Sequence, residues 1–255
     1  MKLNHKVYGS GHPVIIMHGL FGSGDNWRTI ARMIEDQYQC IVVDMRNHGR
    51  SPHDPVMNFQ VMTEDILELM QDLQLEKVSL IGHSMGGKVA MQFALTHPAM
   101  VDKLIVVDIA PKYYPPRHDT VIEAIEAIDP GQLKERAEAE EVFARFLGKD
   151  GSTIQFLMKN LSRLPEGNFE WKPNMPVIID AYSNLMENVQ SGISFEGPVL
   201  FVRGQKSSYI LDEDVSYILG LFPNSSLITI PGAGHWVHAD APQLFAKSIL
   251  AFLND

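Results

Sequence analysis

The sequence predicts a doubly wound, mostly parallel α/β sheet with a helical cap inserted late in the chain. Three observations predict it. Short apolar runs alternate with helical stretches through the first half. The runs are rich in β-branched residues, as in strands buried on both faces of a parallel sheet. The runs then stop for a long stretch and resume near the carboxyl end.

The strand runs come in order as Val14–Met17, Cys40–Val43, Val78–Ile81 and Leu104–Val107. Between them, Asn58 to Leu73 carries apolar residues at Val61, Met62, Ile66, Leu69, Met70 and Leu73, spaced near 3.6. Gly86 to His97 is small and apolar, and Pro98 stops it. Strand–helix alternation of this kind implies right-handed crossovers onto a parallel sheet. From about Lys112 to Glu196 the sequence offers no convincing strand. Val121–Ile128, Gln132–Phe146 and Val177–Val189 read as helices, separated by Pro130, Gly148, Pro165-Glu166-Gly167 and Pro173. Residues 112–196 are therefore expected to form a cap, and residues 1–111 with 197–255 the core. The core resumes with Val199–Val202 and Leu227–Ile230, and a last helix is expected from Ala241 to Leu253.

Composition narrows the function classes. The chain has 255 residues, 45% hydrophobic and 20% charged, with a formal net charge of -10. Such acidity repels polyphosphate backbones, so a nucleic-acid partner is not expected. No apolar run approaches the ~18 residues of a membrane span. The first residues hold no apolar signal region, and the one cysteine, Cys40, excludes an internal disulfide; both point to the cytoplasm. Cys40 sits inside a strand run and reads as a buried apolar residue. Scattered histidines without a ligand spacing suggest no metal, and no phosphate-binding glycine loop suggests a cofactor.

The chemistry is carried by Gly82-His83-Ser84-Met85-Gly86, which follows one strand run directly and opens the next helix. This is the G-x-S-x-G pattern in its strand–turn–helix setting. The turn is so tight that residues two before and two after the serine must be nearly free of side chain. The helix that begins there points its positive end at a developing oxyanion. Ser84 is the candidate nucleophile, and the amide of Met85 one oxyanion donor.

Together with His18-Gly19-Leu20-Phe21-Gly22, Asp44-Met45-Arg46-Asn47-His48-Gly49-Arg50-Ser51 and Gly232-Ala233-Gly234-His235, the serine motif resembles the α/β-hydrolase superfamily over essentially the whole chain. Within it, the Asp44–Ser51 stretch and Val107-Asp108-Ile109-Ala110-Pro111 look most like the small bacterial YbfF-type esterases. The resemblance implies a serine hydrolase of esters or thioesters of small to medium acyl groups. It implies the second oxyanion amide at Leu20, with Phe21 the neighbouring alternative. It assigns His18 and His83 structural or lining roles.

His235 follows the last strand run, and the order serine, acid, histidine is the one this fold uses. It is the candidate base among ten histidines; His238 is expected to pack near the last helix. The acid departs from the common pattern. Where relatives carry Gly-x-x-Asp, this chain reads Gly204-Gln205-Lys206-Ser207. Asp212 and Asp214 lie close by, but Asp212-Glu213-Asp214 suits the acidic first turn of a helix. Asp108 stands at the carboxyl end of a strand run, where sites in such sheets form. YbfF-type relatives place the acid there, so Asp108 is the candidate.

Phe21, Trp27 and Trp236 adjoin motif residues and are candidate pocket walls. In the cap, Tyr113, Tyr114, Met158, Trp171, Met175 and Met186 suit either an apolar acyl chain or ordinary packing. The Arg46–Ser51 loop reads as a hydrogen-bonded tie more than as a substrate contact. A carbon–carbon bond hydrolase or a perhydrolase would use the same serine triad, and two further rivals remain. Arg46, Arg50, Lys112 and Arg117 would serve an acyl-CoA thioesterase by meeting phosphates. A catalytically silent ligand-binding protein on the same fold is the other, favoured only by the displaced acid.

Overall fold

One seven-stranded sheet organises the chain, and six of its strands are parallel. It is seen in a computed structural model that describes residues 1–189 and 192–255. In chain order the elements are β1 (His5–Tyr8), β2 (His12–Met17), α1 (Arg28–Ile34), β3 (Tyr38–Val43), α2 (Phe59–Asp72), β4 (Val78–His83), α3 (Met85–Thr96) and β5 (Val101–Val107). Then come α4 (Asp119–Glu126), α5 (Arg136–Leu147), α6 (Gly151–Met158), β6 (Leu161–Arg163), β7 (Phe169–Trp171), α7 (Met175–Asp180) and α8 (Tyr182–Met186). The chain ends with β8 (Val199–Gly204), α9 (Val215–Leu221), β9 (Ser225–Ile230), α10 (Val237–Asp240) and α11 (Pro242–Asn254).

The strand order is β1-β3-β2-β4-β5-β8-β9, with β1 antiparallel at the edge. Alternation along each strand feeds two layers. In β2, Val14 and Ile16 join the layer with α1 and α11, while Ile15 and Met17 join the layer with α2 and α3. Both faces are covered, which is why the strands read as unbroken apolar runs. Asn58 caps α2 by accepting from the Val61 amide at 3.0 Å, and Pro98 ends α3, as the sequence implies.

After β2 the chain moves outward to β3 and then returns to the other side of β2 to make β4. The strand order thus reverses between β2 and β4, and crevices form above the carboxyl ends at such a point.

Residues 108–198 add no strand to this sheet. Four differences from the sequence reading stand there. A two-stranded hairpin, β6 with β7, occupies a stretch expected to hold no strand. Its turn is the Pro165-Glu166-Gly167 break, with Gly167 at φ 104°. Helix α6 was not expected, although Asp150 caps it on the Thr153 amide and Ile154, Leu157 and Met158 form its buried face. The helix expected over Val177–Val189 is two short ones that meet at Ala181. In α5 the helix starts at Arg136, because Asp129-Pro130 folds the preceding residues into a single tight turn.

Candidate active site

The sheet register sets the heights of the candidate groups. Met17 pairs with Gly82, His83 with Val107, and Val107 with Val202. Ser84 and Asp108 are therefore each the first residue beyond adjacent strands. The Ser84 amide donates to the Val107 carbonyl at 3.0 Å, and the Asp108 amide to that of Val202 at 2.8 Å. Among the described residues, only five non-glycine residues have positive φ, and three of them are Phe21 at 57°, Ser84 at 52° and Asp108 at 52°. Each such position costs on the order of 1–3 kcal/mol unless its surroundings enforce it. The strain is thus gathered where the candidate chemistry is.

The Ser84 turn needs its glycines. A Cβ on Gly82 would lie 2.2 Å from the Gly86 carbonyl oxygen, and one on Gly86 would lie 2.6 Å from the His18 oxygen. The Gly86 amide instead donates to that His18 oxygen at 3.2 Å. This bond fixes the loop after β2 against the nucleophile turn and so sets Leu20 beside Ser84. Among the described residues, no protein acceptor takes the Leu20 or Met85 amide. The Phe21 amide donates to His48 Nε2 at 3.2 Å, which takes Phe21 and not Leu20 out of the candidate donors.

His235 reaches the site on the loop after β9. A Cβ at Gly204 would lie 2.0 Å from the Gly234 oxygen, so only glycine lets this loop cross the end of β8. The loop is pinned: Lys206 donates to the Ala233 carbonyl at 2.8 Å, and the Gly234 amide to Asp240 at 2.7 Å. His83 Nε2–H donates to the His235 carbonyl at 2.8 Å. Burial pushes His83 far toward its neutral form, with the nearby His235 and His238 adding to the effect.

His235 Nδ1 contacts Asp108 Oδ2 at 2.7 Å. Asp108 has no exposed side-chain surface. It accepts from the Gly204 amide at 2.9 Å through Oδ1, and from the Ser207 hydroxyl through Oδ2. Three donors thus satisfy a carboxylate that water cannot reach. Ser207, in the Gly204-Gln205-Lys206-Ser207 stretch, faces the same oxygen as the imidazole. The Tyr209 ring stacks on His235 with centroids 3.9 Å apart and planes 18° apart. Asp212 is almost fully exposed and pairs with Arg203 at 2.7 Å. Asp214 is bound by Lys112 at 2.7 Å and accepts from the Leu211 amide. Neither faces His235.

Ser84, Leu20, Phe21, His235 and Trp236 all line one cavity of about 550 Å³. Trp27 joins them, stacked on His238 at 4.2 Å. From above, His118, Val121, Gln155 and Phe156 complete the wall, with Phe156 against Trp236 at 5.2 Å. His118 is held by the Tyr182 hydroxyl at 2.7 Å, and burial lowers it to about 4. A much smaller cavity, about 20 Å³, also opens at Ser84 and is lined by Tyr114 and Met186 among others. Met158 and Met175 lie in the core instead, and Tyr113 faces solvent.

The remaining histidines near the motifs are ties. His18 Nε2 accepts from the Met45 amide at 3.0 Å, and its Nδ1–H donates to the Gly19 carbonyl at 2.7 Å. His48 Nδ1–H donates to the Arg46 carbonyl at 2.9 Å, and burial brings His48 down to about 3. Arg46 is buried in a two-point contact with Asp65, at 2.6 and 2.8 Å. The loop is therefore the structural tie its sequence suggests. Of the four cations weighed for phosphates, only Arg117 lines a cavity with Ser84. Burial raises Cys40 to about 12, which makes it unreactive. No helix of the described residues is long and apolar enough to cross a membrane. No cluster of three potential metal ligands occurs among them.

Sequence reasoning missed Ser207, Tyr209, His118 and Lys88. Ser207 carried a signal, since a hydroxyl in the usual place of the acid invites a carboxylate from a neighbouring strand. Tyr209, His118 and Lys88 had none.

Comparison with known proteins places the fold in a family. The alpha/beta hydrolase fold family matches residues 12–242. The chain is 38% identical to esterase YbfF of Escherichia coli (strain K12), covering 100% of both. It is 37% identical to the sn-1-specific diacylglycerol lipase ABHD11 of Danio rerio, over 100% of this chain and 83% of that protein. A marine microorganism esterase of solved structure superimposes with a TM-score of 0.96 at 43% identity, covering 98% of this chain and 99% of that one. The chain belongs to the α/β-hydrolase family and, over its whole length, is similar to esterases and lipases of that family.

Proposed function

We propose that this chain is a serine hydrolase of carboxylic esters, extending to thioesters, that works through an acyl-enzyme on Ser84. Ser84 Oγ attacks the carbonyl carbon while its proton passes to His235 Nε2. The Leu20 and Met85 amides face the oxyanion of the tetrahedral intermediate. His235 returns the proton to the leaving oxygen as the carbon–oxygen bond breaks. Water then attacks the acyl carbon, giving its proton to His235, and Ser84 is released with the free acid. Asp108 holds the imidazole in the tautomer with hydrogen on Nδ1 and stabilises its protonated form. Residues 112–196 act as the cap that bounds the substrate.

The observation that carries this reading is the buried Asp108–His235 contact at 2.7 Å beneath a cavity that Ser84 and His235 share. The same contact weighs against a silent binding protein, because a fold used only for binding has no need to bury a charged acid beneath a histidine. The acyl-CoA reading keeps only Arg117 of its four cations at a cavity with Ser84. A fluorophosphonate probe tests the proposal, together with hydrolysis of p-nitrophenyl esters and acyl-CoA thioesters. Labelling and turnover are expected in the wild type, with both lost in Ser84→Ala. Equal turnover in Ser84→Ala, or a wild type that never labels, overturns it.

A further inference from the structure

We infer that Ser84 stands at the junction of two unequal subsites, the small one for the acyl group and the large one for the alcohol, so that the substrates are esters of short acids with bulky alcohols. This rests on the serine-hydrolase reading and adds its substrate class.

Ser84, Leu20 and His118 line both cavities. His235 lines only the large one, and Met85 only the small one. In a tetrahedral intermediate the carbon carries four groups. One is Ser84 Oγ, and a second is the oxyanion at the Leu20 and Met85 amides. The third, the leaving oxygen, must lie against the base that returns its proton. That side is the large cavity. The acyl chain takes the remaining direction, into the small cavity, where the Tyr209 ring stacked on His235 stands between the imidazole and the chain.

Size then sets the class. A space of about 20 Å³ holds one water-sized group, which is the scale of a methyl. Its walls include Met85, Ile109, Leu185 and Met186, apolar groups suited to a hydrocarbon end. The walls are also tied. Lys88, four residues past Ser84, donates through Nζ to the carbonyls of Met186 (3.1 Å) and Glu187. Its ammonium faces the Tyr114 ring at 4.9 Å. Tyr114 donates to the Tyr209 carbonyl and accepts from the Ala110 amide at 2.8 Å. A wall tied at these points resists widening for a longer chain. The large cavity, about 550 Å³, combines Trp236 and Phe156 with Ser152, Thr153 and Gln155, and so suits a large alcohol bearing polar groups.

Two ester series on the full chain test this. In the first, the alcohol is 2-naphthylmethanol and the acid runs from acetate through butyrate and hexanoate to octanoate. In the second, the acid is acetate and the alcohol runs from ethanol to benzyl alcohol to 2-naphthylmethanol, which differ little in acidity. We expect kcat/KM to fall at least about tenfold from acetate to hexanoate, and to rise along the alcohol series. Met186→Ala should move the acyl optimum to butyrate or hexanoate. Hexanoate or octanoate esters cleaved as well as acetates overturn the assignment, as does an acyl optimum that Met186→Ala leaves in place. If the fluorophosphonate still labels Ser84 in that event, the subsites are wrong while the serine-hydrolase reading stands. A chain that neither labels nor turns over any ester removes both.

Discussion

At the carboxyl edge of the sheet, Ser84 and Asp108 are each held by their own amide on the carbonyl of the neighbouring strand. In the segment above, the cavity walls are side chains on short helices, such as Gln155 and Phe156, and on the turns that lead into them, such as His118. The first region is positioned by the ladder and enforces positive φ. The second is positioned by packing, through contacts such as Phe156 on Trp236 and the Asn160 amide on the Phe21 carbonyl at 2.8 Å. Chemistry needs groups held within about 0.5 Å, which strand ends supply. Selectivity needs only a shape, which helices over the edge can vary. If the two regions differ in this way, changes at the edge act on kcat and changes above it act on KM.

The strongest test is at Asp108. Asp108→Asn keeps the Gly204 amide bond to Oδ1 but loses the charge and invites the wrong histidine tautomer, so kcat should fall by about 10⁴. Asp212→Asn, which alters only an exposed pair with Arg203, should stay within about twofold. Steady-state kinetics of the two variants decides. An active Asp108→Asn would break the comparison at its firmest point. It can also be sharpened, because Ser207 and His235 meet the same oxygen of Asp108. The double variant Asp108→Asn/Ser207→Asp puts a carboxylate at position 207, whose hydroxyl now meets the same Asp108 oxygen as His235. It should regain at least about tenfold of the lost kcat, since a restored charged hydrogen bond is worth about 1.5–3 kcal/mol. A double variant no better than Asp108→Asn would mean that position 207 is out of reach of the imidazole.

The two regions also differ in how well they could be read. Both-face burial made β2, β3, β4, β5 and β8 legible as apolar runs; the edge strand β9 is only partly buried but still showed the run Leu227–Ile230, and the glycines at 82 and 86 marked the turn that must be bare. β1 was missed because His5-Lys6-Val7-Tyr8 has no apolar run. It is a strand because β3 offers an antiparallel partner, a fact outside its own residues. Above the edge, periodicity alone misled. Three-residue strands such as Leu161–Arg163 are too short to show a period of two. Helix α6 did show its cap and its apolar spacing, yet lay between two breaks that read as loop. The Asp108–Ser207 contact joins residues 99 apart in sequence, and nothing local announces it.

A smaller effect is expected above the edge. Phe156→Ala removes an aromatic wall from the large cavity and its contact with Trp236, worth about 0.5–1.5 kcal/mol beyond area burial. KM for a naphthylmethyl acetate should rise between about twofold and tenfold while kcat stays nearly constant. A fall in kcat with KM unchanged would show that this wall acts in the transition state, and the division between edge and cover would have to be redrawn.

A last effect concerns acid stability, not catalysis, beneath the site. His238 is stacked on Trp27, lies 4.9 Å from His83 and packs near Phe245, and its Nδ1 has no protein partner. Burial lowers it to about 3, with His235 adding to the effect. In the unfolded chain it titrates near 6.5. Between those values the unfolded state holds a proton that the folded state refuses, so stability falls as the pH drops from about 6.5 toward 3. His18, His48, His83 and His118 are lowered too and share this sign. His238→Phe keeps the stack on Trp27, removes the unpartnered nitrogen and removes one of these penalties. Its loss of stability between pH 7 and pH 5 should therefore be smaller than that of the wild type by on the order of 2 kcal/mol, read from urea unfolding at each pH. Equal losses would mean that His238 takes up a proton in the folded state, and that the floor of the site is wetter than its packing implies.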